Sequence, residues 1–135
     1  MTNLILFGIT TLVFTIIDLF WLGIVAKKLY WHYLGPLLRP SPYWPAAAAF
    51  YTLFIIGLII FAVHPAIASK QSLDAIKLGA LFGFFTYMTY DLTNWATLKN
   101  WPWQIVVIDI VWGSILCASV CGISAWIYLR LVPGT

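Results

Sequence analysis

Four apolar runs cover most of this chain: residues 3 to 26, 45 to 63, 76 to 98 and 102 to 129, which together carry only Asp18, Lys77, Asp91 and Asp109 as charged side chains. A helix rises about 1.5 Å per residue, so about 20 residues cross a hydrocarbon core of roughly 30 Å. Each run is about that long. Composition points the same way: 63% of the residues are hydrophobic and 8% are charged, too few charges to clothe a soluble domain. The expectation is an all-α, polytopic membrane protein, with four transmembrane helices in one compact bundle. Residues 1–135 form a single domain, with an interfacial segment between helices 1 and 2.

The first run is read as a retained span and not as a secretory signal. No basic residue precedes it, and it runs into Lys27 and Lys28 without a small-residue cleavage pattern. The formal net charge of +3 comes from scattered residues. It suits lipid headgroups, whereas nucleic acid would call for a clustered basic face. Cys117 and Cys121 lie within one apolar run, a placement that argues against a structural disulfide, and no metal-ligand pattern or cofactor motif accompanies them.

The longest connection, "KKLYWHYLGPLLRPSPYW", starts basic and aromatic and then meets Pro36, Pro40 and Pro42. It is expected to begin as a short interfacial helix and to end extended, with Pro45 in the first turn of the second span. The stretch "HPAIASKQSLD" reads as a polar loop with Ser72 as N-cap. "KNWPW" reads as a tight turn with Pro102 opening the fourth helix, which makes helices 3 and 4 antiparallel neighbours. Gly79 and Gly83, and Gly113, Cys117 and Cys121, are small residues spaced by four. That spacing lets helix backbones approach closely in lipid, here within one bundle rather than between copies. Lys27, Lys28, Arg39 and Lys99 fall on one side, and Lys70, Lys77 and Arg130 on the other. The positive-inside rule then leans towards both termini outside.

The chain has four acidic residues, all Asp, and three of them lie inside spans: Asp18, Asp91 and Asp109. Counting from Lys27 and Lys99, each sits about 12 to 15 Å from the same surface at helical rise. Three helices thus bring one carboxyl each to one layer. A charged Asp near the centre of a span costs about 2.5 to 3.5 kcal/mol on insertion scales, so the three are expected to turn inward. By helical spacing Asp18 shares a face with Thr11, Thr15 and Trp21. Asp91 shares one with Tyr87, Asn94 and Trp95, and Asp109 one with Trp112 and Gly113. Polar residues in spans can simply tie helices together, but three carboxyls in one layer, with no Lys or Arg in that layer, suit a functional site. Such a group can share protons, capture a cation or perform acid–base chemistry.

Seven of the eight tryptophans fall in the half of the molecule that holds this layer. Trp31, Trp44, Trp101 and Trp103 fit an interfacial belt. Trp21, Trp95 and Trp112 each follow an Asp by three or four residues and could wall a cage for an organic cation. His32 and His64 read as interfacial anchors near opposite surfaces, His32 being on the Asp side.

The segments "IIDLFWLGI", "YLGPLL", "YDLTNWATLKNWP" and "VIDIVWGSIL" together resemble a family of small bacterial inner-membrane proteins known as domain of unknown function 2177. The resemblance covers nearly the whole chain. It rests on Asp18, Trp21, Gly23, Tyr90, Asp91, Asn94, Asp109, Trp112 and Gly113. It implies a bacterial source, a multi-pass fold and the inner (cytoplasmic) membrane, and it brings no activity with it.

Three functions are compatible with these residues. The first is a pocket that binds or translocates a proton, a small cation or a cationic small molecule. In it Asp18, Asp91 and Asp109 supply charge, Asn94 a neutral oxygen, Tyr90 a neighbouring hydroxyl, and Trp21, Trp95 and Trp112 the walls. One copy is small for alternating access, so transport would call for a homo-oligomer. The second is a lipid-modifying enzyme using the Asp cluster as general acid and base, although no Ser–His pair, His cluster or nucleotide loop supports it. The third is an assembly subunit that pairs its Asp layer with a partner's basic residues. Membrane lipids are the surroundings in every case.

Overall fold

The computed structural model describes residues 1–134, and among them the ordered elements are all helical. Helix α1 (Thr2–Phe20) continues through one wide π-helical turn, Trp21–Val25, and stops at Ala26. Helix α2 (Lys27–Leu34) follows, then a 3₁₀ turn at Gly35–Leu37 and an extended stretch. Helix α3 (Trp44–Leu58), a second π turn at Ile59–Val63, and α4 (His64–Ser69) form one continuous rod. Helices α5 (Ser72–Thr97) and α6 (Trp103–Leu131) complete the bundle.

Three of these stretches are long and apolar enough to cross a membrane: Thr2–Val25, Trp44–Ser69 and Trp103–Leu131. The fourth expected span lies in α5, which has 26 residues but carries Asp74, Lys77 and Asp91 along with threonines and glycines, so it is less apolar than the others.

The second span runs further than the sequence suggests. His64–Ser69 is helix and not loop, and the chain turns only at Lys70, in the left-handed region at φ 57°. Pro65 explains both the continuation and the π turn before it. Proline has no N–H to donate and crowds the preceding turn of helix, and widening that turn absorbs the conflict without breaking the rod. Ser72 is the first helical residue of α5 rather than its cap. Gln71 holds the cap position with no side-chain bond, and the Ser69 hydroxyl instead donates to Asp74 at 2.6 Å. The turn between α5 and α6 forms as the sequence implies: Asn100 adopts φ 61°, a conformation asparagine tolerates, and Pro102 caps α6.

Helices α5 and α6 lie against each other backbone to backbone. A Cβ placed on Gly79 would stand 2.5 Å from the Cys117 carbonyl oxygen, and one on Gly83 would stand 2.2 Å from the Gly113 carbonyl oxygen. Lipid tails are as apolar as leucine, so burial adds little to helix association in a bilayer, and close packing of this kind must supply it. Helix α1 and the π turn Ile59–Val63 close the other sides of the core, where Leu6, Phe14, Leu58, Leu116, Val120 and Tyr128 are almost completely buried.

Candidate functional site

Asp18 is 7% exposed and Asp91 not at all, and Asp109 of α6 neighbours both of them. Asp109 of α6 therefore stands between the carboxyls of α1 and α5, a neighbour of each, without the three gathering at one point. Each has a different set of partners. Asp18 Oδ2 accepts a hydrogen bond from the Tyr51 hydroxyl of α3 at 3.0 Å. Asp109 Oδ1 accepts one from the Tyr30 hydroxyl of α2 at 2.6 Å, and Trp21 Nε1 donates to the same Tyr30 oxygen at 3.4 Å. Among the described residues neither oxygen of Asp91 meets a hydroxyl or N–H donor. The carboxyl of Asp109 is its neighbour, and two carboxyl groups bond to each other only when a proton lies between them.

Tyr30 fastens the short helix α2 onto the bundle. Burial first, and then the negative charge of Asp109, pushes its hydroxyl far above the ordinary tyrosine value. It therefore stays a proton donor to Asp109.

Between these groups lies a cavity of about 110 Å³, walled by Asp18, Trp21, Tyr30, Tyr51, Tyr87, Asp109 and Trp112, with Phe14, Leu22 and Phe50. A water molecule occupies about 30 Å³ in the liquid, so the chamber has room for a few waters or one small ion and not for a large organic cation. Trp21 and Trp112 stack at 4.2 Å with their planes 8° apart. Each covers the other's face, which leaves no slot between them for a flat ligand. The indole N–H of Trp112 lies beside Asp18 without the geometry of a hydrogen bond. Among the described residues no three His, Cys, Asp or Glu side chains converge as a metal site would need.

The remaining residues expected in the site stand apart from the chamber. Trp95 is 51% exposed on the outer face of α5, and Tyr90 is 56% exposed with its ring edge-on to Trp101 at 5.8 Å. Asn94 is half-buried, and its amide neighbours the Tyr90 hydroxyl and not the acids. On α1 the inward face is Leu6, Thr10, Phe14 and Asp18, while Thr15 is exposed. The stripe that carries Asp18 inward therefore runs at steps of four towards Thr10, not through Thr11 and Thr15.

Two chamber residues, Tyr30 and Tyr51, escape a sequence reading centred on the acids. Tyr51 left a signal: it is a lone phenol in the apolar run "AAAAFYTLF", and a tyrosine hydroxyl in an apolar setting needs a partner. Tyr30 left none, because "KKLYWHY" is an ordinary interfacial sequence and only the turn at Ala26 brings it back to Asp109.

Fold and site together define a helical membrane protein with a small acidic chamber set among its helices. The chain belongs to the family of predicted membrane proteins designated DUF2177, whose sequence pattern it matches over residues 3–126. No curated protein and no solved structure matches it.

Proposed function

We propose that the chamber binds and exchanges protons, with Asp91 and Asp109 holding one proton between them and Asp18 acting as a second station. The observation that carries this reading is Asp91: it is fully buried, among the described residues no donor reaches either oxygen, and the neighbouring side chain is another acid, Asp109. A proton satisfies that arrangement directly. Tyr30 and Tyr51 supply hydroxyls to the other two acids, and the cavity admits bridging water. A coordinated metal is a poorer fit, since no three ligands converge among the described residues.

The exchange runs from one side. Beyond Phe14 the core is filled by fully buried side chains, mostly apolar ones such as Leu58, Leu116 and Val120, with Thr10, Ser124 and Tyr128 as its polar members, and in this reading the chamber is a one-sided site and not a pore. In this reading α5 is the fourth span, because it is packed along α6, which itself crosses. All four lie in the inner (cytoplasmic) membrane of a bacterium, where multi-pass helical proteins reside, the outer membrane being the place of β-barrels.

The test is an infrared pH-difference spectrum of the protein in lipid nanodiscs. Wild type is expected to show a carboxyl C=O band that changes on proton uptake and shifts in deuterated water. Asp91→Asn and Asp109→Asn are each expected to remove the component of that band that belongs to the shared proton, leaving the component from Asp18. A wild-type spectrum without such a band, or a band that neither substitution changes, overturns the proposal.

A further inference from the structure

A second and larger opening meets the chamber at Asp109. Helix α5 packs against Ile59–Val63, but nearer the Asp level it parts from α3. The resulting groove of about 650 Å³ is lined by Phe50, Phe54, Phe85, Thr86, Tyr87, Thr89, Tyr90 and Asp109. Phe50, Phe85 and Tyr90 are 49%, 56% and 56% exposed, so the groove opens sideways, to the bilayer. Its size falls within the roughly 300–1,000 Å³ that organic ligands fill. Among the described residues the only charged group in its wall is Asp109, and Phe50, Tyr87 and Asp109 form the partition between groove and chamber.

From this juxtaposition we infer that the groove is a binding site for a cationic amphiphile, with one aliphatic chain lying along Phe54 and Phe85 and a primary ammonium group on the Asp109 carboxylate. The aromatic walls set the shape of the chain but give little selectivity, since a chain leaving lipid for this groove moves between two apolar settings. Discrimination therefore resides at the polar end. There the charges are one-sided: Asp109 has Asp18 and Asp91 as neighbours, and among the described residues no Lys or Arg lines either cavity. An ammonium group matches that charge, a hydroxyl can donate to it without neutralising it, and a carboxylate is repelled. The inference shares Asp109 with the proton-exchange reading but does not need Asp91, which lines neither cavity.

Native mass spectrometry of the detergent-solubilised protein tests it with three probes of one chain length: dodecylammonium, dodecanol and dodecanoate. The ammonium is expected to be retained about tenfold or more over the alcohol, the margin of a charge-assisted hydrogen bond over a neutral one, and the carboxylate least. Asp109→Asn is expected to level the three, whereas Asp91→Asn is expected to keep their order. Thr89→Phe, an exposed position on the groove wall, is expected to reduce retention of all three, and Thr86→Phe serves the same purpose where Thr89→Phe fails to fold. Equal retention of the three probes by wild type overturns the proposal. So does an order that survives Asp109→Asn, or a dimer whose groove is filled by a second copy. Loss of the shared-proton component of the infrared carboxyl band in Asp91→Asn with probe order intact separates this site from the proton pair.

Discussion

Gly83→Ala is expected to pry α5 from α6. The added Cβ would stand 2.2 Å from the Gly113 carbonyl oxygen and 2.9 Å from Cys117 Cβ, against ordinary contact that begins at 3.4 Å. The obstacle is backbone, which cannot swing aside as a side chain can. The helices must separate by about 1 Å along the line of contact, and a radial gap of 0.5–1 Å forfeits about a quarter to a half of each dispersion contact it opens. Overpacking typically costs about 1–3 kcal/mol, and a clash with main chain belongs at the upper end. About 3 kcal/mol corresponds to roughly a hundredfold rise in the open population. The interface carries its own reporters, because Cys117 and Cys121 are free thiols with no exposure. A thiol-reactive fluorophore added to protein in nanodiscs should therefore label Gly83→Ala about a hundredfold faster than wild type, in the regime where opening and closing are fast relative to labelling. Gly8→Ala is the control: its Cβ meets nothing within 4 Å, and labelling should stay at the wild-type rate or slow slightly. Equal labelling rates in Gly83→Ala and Gly8→Ala would refute the backbone-contact account of the α5–α6 pair.

Three further outcomes are expected. Tyr30→Phe removes the 2.6 Å bond to Asp109 that ties down α2, at a cost of about 1.5–3 kcal/mol for a bond to a charged group; trypsin cleavage after Lys27 and Lys28 should accelerate accordingly, and an unchanged rate would show that α2 is held by other contacts. The Tyr30 hydroxyl is held neutral in the folded protein, so at about pH 11, where an ordinary tyrosine with pKa about 10 is mostly ionised, the wild-type-minus-Tyr30→Phe absorbance difference should contain no tyrosinate. By the same linkage its contribution to stability is complete below about pH 10 and is lost as the pH rises beyond that, because the unfolded chain ionises first. Asp91→Asn gives Asp109 an amide N–H in place of the shared proton, one hydrogen bond for another, so thiol labelling is expected to stay within about threefold of the wild-type rate; much faster labelling would mean that the Asp91 carboxyl is itself structural.

Much of this protein follows from its sequence because lipid leaves the chain few choices. Runs of about 20 apolar residues become helices wherever they fall. Three acids inside such runs must find each other or water, and four-residue spacing of Gly79 and Gly83 marks a contact between backbones before any contact is seen. Those are one-dimensional facts, and the bilayer converts them into structure. Other features needed three dimensions. Pro65 does not end the second span, because the wider π turn before it makes room for its ring. Tyr30 becomes a partner of Asp109, 79 positions away, through the bend at Ala26, which no local pattern announces. Trp21 and Trp112, each three residues past an Asp, spend their faces on each other, while Trp95, four residues past its Asp, turns outward. Helical periodicity fixes which residues share a face, but which face meets a neighbour is decided by the packing of several helices at once.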